Sequence, residues 1–99
     1  MKRKMSDEEL LDFYIDLGND IKRLCDTSKG VIVTIGNNFG KTNDFTDRIR
    51  KISKELDELQ NDLENSMPYN KISAMCKKRG ISPFNIFYGE KIRKEENKW

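Results

Sequence analysis

DFTDRIRKISKELDELQNDLENS, residues 44–66, is the stretch on which the fold turns. Phe45, Ile49, Ile52, Leu56, Leu59 and Leu63 recur at alternating steps of four and three, which on an α-helix gathers them into one apolar seam of heptad type. Charged side chains of both signs fill the other positions, and Asp44 stands where a carboxylate meets the positive end of the helix dipole. Pro68 disfavours the helical conformation at Met67, so the helix is expected to end near Ser66. A seam of this length can be covered by another helix of the same chain, in an antiparallel pair, or by the same seam of a second copy in a homodimer. The two arrangements are compatible.

Moving toward the N-terminus, a helix is expected over about 6–26. Ser6 is placed to cap it and Glu9, three residues on, to close a capping box. Leu10, Phe13 or Tyr14, Leu17, Ile21 and Leu24 share one face. Gly18 within that pattern is about 1 kcal/mol less favourable than Ala in a helix, which marks a bend or a close approach. Between the two helices, Val31-Ile32-Val33-Thr34-Ile35 is rich in β-branched residues, with Gly30 before it and Gly36-Asn37-Asn38-Phe39-Gly40 after it. That punctuation predicts a short extended segment or hairpin over about 30–42. Gly40-Lys41-Thr42 resembles the end of the phosphate-binding P-loop, but three residues separate Gly36 from Gly40 where that motif takes four. The segment therefore reads as a turn in which Gly and Asn supply positive φ.

Toward the C-terminus, Ile72, Met75 and Cys76 line one face of a helix over about 69–79, and Gly80 stops it. Ser82 and Pro83 then open a fourth helix, about 83–96, with Phe84, Phe87 or Tyr88, and Ile92 facing inward. The expected fold is thus mainly α: one small helical domain of about four helices with an extended piece near 30–42. Its charge is lopsided. Residues 1–68 carry eleven Lys/Arg against fourteen Asp/Glu, a net −3, while residues 69–99 carry eight against three, a net +5. An acidic helical scaffold followed by a basic end points to a polyanionic partner.

Several function classes recede. The longest apolar run is five residues, far short of the roughly 20 that span a bilayer, and no apolar stretch follows Met1-Lys2-Arg3-Lys4, so neither membrane association nor a secretory signal is expected. A cytoplasmic setting, of a bacterial cell or a virus-infected host cell, fits this reading. Cys25 and Cys76 are too far apart in sequence to form a close metal-binding pair, and there is no histidine, so they read as reduced, half-buried small hydrophobes. The commonest general base is missing as well, and the carboxylates scatter over solvated helix faces. The sequence reads as a non-enzyme without metal or cofactor. Lys, Asn and Ile make up 32 of the 99 residues, as in coding sequence rich in A and T, which suits a low-GC bacterium, its phages or its mobile elements.

The string Lys71-Ile72-Ser73-Ala74-Met75-Cys76-Lys77-Lys78-Arg79-Gly80-Ile81-Ser82-Pro83, with Phe87-Tyr88 and Lys91 beyond it, resembles the helix-turn-helix of small transposase subunits and site-specific recombinases. The small Cys76, Ile81 and Ile86 occupy positions such motifs favour, whereas Gly89 stands where an apolar residue is usual. The resemblance implies a recognition helix from Pro83 in the major groove of DNA, with Asn85 as the base-reading amide. Lys71, Lys77, Lys78 and Arg79, extended by Lys91, Arg93 and Lys94, would hold phosphates. The expected function is a small nucleic-acid-binding accessory or regulatory protein. The alternative is an interaction protein that docks its helical surface on a protein partner.

Overall fold

A computed structural model describes residues 5–92 of the chain. Among them are three α-helices, α1 (Asp7–Phe39), α2 (Asp44–Ser66) and α3 (Tyr69–Arg79), followed by one 3-10 turn, Pro83–Ile86, and no strand. The start of α1 follows from its cap. The Ser6 hydroxyl accepts from the Glu9 amide at 3.2 Å while the Ser6 amide donates to Glu9 Oε1 at 3.0 Å, and Asp7, Glu8 and Glu9 sit against the positive helix end.

Two expectations fail here. The first helix does not stop near residue 26, and residues 30–39 are neither extended nor a hairpin strand: α1 runs through them without a break. Leu10, Tyr14, Leu17, Ile21, Leu24, Ser28, Val31 and Ile35 continue one four-and-three repeat, so the β-branched run falls on the same helical stripe as the residues before it. Packing against α2 outweighs the local preference of those side chains. Nor does the fourth helix over 83–96 form. Its first turn is 3-10, and residues 87–92 continue as turn and irregular backbone, with Gly89 at φ 83°. The remaining positions, 93–96, lie outside the described residues.

The hairpin α1–α2 closes through residues 40–43. Gly40, at φ 95°, ends α1 by donating to the Gly36 carbonyl at 3.0 Å. Asn43 Oδ1 then caps α2, accepting from the Phe45 amide at 2.8 Å, and the buried Thr46 hydroxyl donates to the Gly40 carbonyl at 2.7 Å. Cys25 lies beside Gln60, Lys29 meets Asp57 at 3.1 Å and, nearer the loop, the Gly40 carbonyl meets Thr46, so the partner number on α2 falls as α1 advances, and Ser28 meets Ser53 between them at 3.1 Å. The helices are antiparallel. At about 1.5 Å per residue α1 is roughly 50 Å long and α2 about 35 Å, which matches the longest dimension of the molecule, 48 Å.

The first third of α1 therefore projects past the end of α2, and α3 and the 83–87 segment cover it. Leu11, Ile15, Ile72, Cys76, Ile86 and Phe87 are fully buried there, and Tyr14 meets Phe87 edge to face at 6.3 Å. The loop half of the hairpin has no third layer. α3 ends in a Schellman motif: Gly80 is left-handed (φ 69°), the Ile81 amide donates to the Cys76 carbonyl at 2.9 Å, and Gly80 donates to Lys77. No helix among the described residues is long and apolar enough to cross a membrane.

Candidate nucleic-acid interface

α3 turns Ile72, Met75 and Cys76 inward, and the three-and-four spacing of the helix then fixes what faces out. Asn70, Lys71, Ala74, Lys77 and Lys78 are exposed on that outer side. No acidic residue occurs in α3, and among the described residues Lys71, Lys77 and Lys78 enter no ion pair. Lys77 and Lys78, with Arg79, also stand in the last turn, where cations complement the negative end of the helix dipole. The result is a one-sign surface on a rigid element, held by buried contacts on its other face.

The rest of the expected site is dispersed. Arg79 is turned inward: its side chain is 5% exposed and its Nη1 lies 2.8 Å from Asp12 Oδ1 on α1, so it ties α3 to the scaffold. Asn85 is exposed but belongs to the 3-10 turn, without the helix that the recognition reading gives it. Lys91 is exposed beyond that turn, while Arg93 and Lys94 lie outside the described residues. Burial splits the seam of α2 in two. Ile49, Leu56 and Leu63 are half-buried toward α1, whereas Phe45, Ile52 and Leu59 are 47%, 55% and 44% exposed.

Side chains from distant helices hold the segment after α3 and account for its shape. The ammonium of Lys22, a residue only 5% exposed, donates to the carbonyls of Asn85 and Glu90, the latter at 2.7 Å. Gln60 Nε2 donates to the Phe87 carbonyl, and the Asn19 amide both donates to and accepts from Ile92 at 2.9 and 3.0 Å. The expected helix over 83–96 would need those same backbone groups for its own ladder, so α1 and α2 compete with it directly. Burial lowers the pKa of Lys22 from its ordinary value, because the surroundings disfavour the charged form. It raises both thiols for the same reason, Cys25 also through the neighbouring Asp57.

Sequence reasoning missed Lys22, Asn19 and Gln60 as the anchors of this strap. A lysine at position 22 on the boundary of an apolar stripe was the available signal, but its acceptors lie more than 60 residues away. No protein-family model, no curated protein and no solved structure matches the chain.

Proposed function

We propose that the chain is a small nucleic-acid-binding accessory protein that holds phosphates on the outer face of α3. The observation that carries this reading is the set Lys71, Lys77 and Lys78: exposed, on one face of one helix, with no carboxylate on that helix. From Lys71 to Lys78 is about 10 Å along the axis, a length over which one strand of a duplex carries about three phosphates. Contacts of this kind give affinity without reading bases. The turn form of residues 83–86 favours a phosphate-holding surface over a base-reading helix. A role in a bacterial or viral mobile element is the setting that the composition favours.

The test is fluorescence anisotropy of a labelled duplex titrated with the wild type and with the triple variant Lys71→Glu, Lys77→Glu, Lys78→Glu. Binding that weakens roughly tenfold or more at low salt supports the reading. Binding that survives the charge reversal refutes it. A second reading, an interaction protein, draws on a different observation: large apolar side chains stand exposed along the loop half of the hairpin.

A further inference from the structure

The α1–α2 hairpin leaves large apolar side chains of both helices about half exposed. On α2 the row facing α1 is Thr46, Ile49, Ser53, Leu56 and Gln60, with Thr46 and Ser53 buried. One residue before Thr46, Ser53 and Gln60 stand Phe45, Ile52 and Leu59, an apolar seven-residue repeat that is about half exposed, with Arg48 and Glu55 between its members. On α1 the inward row is Gly18, Ile21, Cys25 and Ser28, all buried, and one step back around the helix run Leu17, Leu24 and Val31 at seven-residue spacing, with Asp20 and Thr27 between them and Leu24 51% exposed. One residue back is 100° back around each helix. Because the helices run in opposite directions, the two rotations mirror each other across the seam and bring both apolar rows to the same side of the hairpin. Phe39 and Phe45, whose rings meet edge to face at 5.2 Å, join the rows at the loop end. The opposite side is marked by the residues one step later, Lys22, Lys29 and Asp57, and that is where the strap lies.

We propose that a second copy of this chain covers this face, so that two hairpins stack into a four-helix bundle. The inference stands independently of the nucleic-acid reading. A surface two helices wide with a seven-residue repeat on each helix is what such bundles bury. Leu24, Phe39, Phe45, Ile52 and Leu59 on this face are each about half exposed. Together they present on the order of 500 Å² of apolar surface, at the upper end for a free-standing monomer. With half-buried Leu17, Val31 and Ile35 beside them, the face approaches the roughly 800 Å² per partner of a stable interface. Its rim fits itself in one orientation. Asp62 flanks the face at the α3 end, with Asp20 beside it paired to Arg23 at 3.1 Å, and Arg48, which also meets Asp44 at 3.1 Å, flanks it near the loop. Parallel stacking sets the acids against their own copies, whereas antiparallel stacking about a two-fold axis brings the Arg48 end of each copy to the Asp62 end of the other.

Light scattering and sedimentation velocity on the full chain, from about 1 to 100 µM, read the outcome. The expected mass at the upper concentrations is about 23 kDa, twice the 11.6 kDa of the chain. Ile52→Asp and Leu24→Asp should each give an 11.6 kDa species that keeps its helical circular dichroism, while Val33→Asp, 60% exposed and outside the face, should leave the dimer intact. Arg48→Glu should weaken the dimer several-fold and Asp62→Lys in the same chain restore it. A wild type that stays monomeric throughout overturns the proposal and leaves the face to a different protein. A dimer that survives both Ile52→Asp and Leu24→Asp overturns it too.

Discussion

Replacing Gly18 with Ala separates what helix propensity predicts from what the packing predicts. Gly18 lies in the middle of α1, where Ala is favoured by about 1 kcal/mol. Its backbone, however, faces the 3-10 turn: a Cβ there would stand 1.9 Å from the Ile86 carbonyl oxygen and 2.8 Å from its carbon. The turn must retreat by more than 1 Å, and it carries Ile86 and Phe87, both fully buried. Partial uncovering of two such side chains, each worth about 1.5–3 kcal/mol, exceeds the propensity gain, so a net loss of about 2 kcal/mol is expected. For a domain of this size that lowers Tm by roughly 10 °C. Gly30 and Gly36 are the controls, since nothing lies within 4 Å of a Cβ at either position. Gly30→Ala and Gly36→Ala should each stabilise by about 0.5–1 kcal/mol, because both lie inside α1. Urea and thermal melts followed at 222 nm, at one fixed protein concentration, read all three variants. If Gly18→Ala stabilises as the other two do, the 83–87 segment does not rest on α1. If Gly30→Ala and Gly36→Ala destabilise, α1 does not run through residues 30–39.

Other outcomes follow from the strap and the core. Lys22→Met keeps the apolar stem but takes the donor from two carbonyls, and should lower stability by about 1–2 kcal/mol in the same melts. Burial lowers the folded-state pKa of Lys22 from 10.5. In the window below 10.5 the unfolded chain therefore holds a proton that the folded chain has released, and wild-type stability relative to Lys22→Met should rise with pH there and level off above it; a falling difference contradicts the assignment. Cys25 and Cys76 are 6% and 0% exposed with raised pKa values, so a thiol reagent should label both only as fast as the chain unfolds. Rapid labelling of Cys76 in the native protein would mean that α3 is not packed on α1.

Where the controlling interactions are local, the sequence was legible. The Ser6–Glu9 capping box, the end of α2 before Pro68 and the left-handed Gly80 each depend on residues within a few positions, and each element begins or ends where those residues place it. The extended reading of 30–39 failed because β-branched residues and flanking glycines mimic a strand, while the continuation of the helical stripe passes through Ser28, a polar residue that seam counting skips. Ser28 is on the stripe because it meets Ser53 across the hairpin, a contact set by tertiary register. The fourth helix failed for a similar reason: Lys22, Asn19 and Gln60 claim backbone groups of residues 85–92 from far along the chain. In the candidate site, Lys71, Lys77 and Lys78 were legible as the outer side of a helix whose apolar face was evident. Arg79 was not, since it turns inward to meet Asp12, a contact set by tertiary packing. The α2 seam was half legible: spacing found the apolar rows, but not that α1 would take Thr46, Ser53 and Gln60 and leave Phe45, Ile52 and Leu59 in the open.

The most direct measurement is the salt dependence of duplex binding, titrated between about 50 and 200 mM monovalent salt. Three lysines on three phosphates predict a fall of log K against log salt with a slope near −2.7, since each neutralised phosphate contributes about −0.9, and the same slope on duplexes of unrelated sequence. Binding that is indifferent to salt, or a duplex left unbound at the lowest salt, contradicts the claim that α3 holds phosphates.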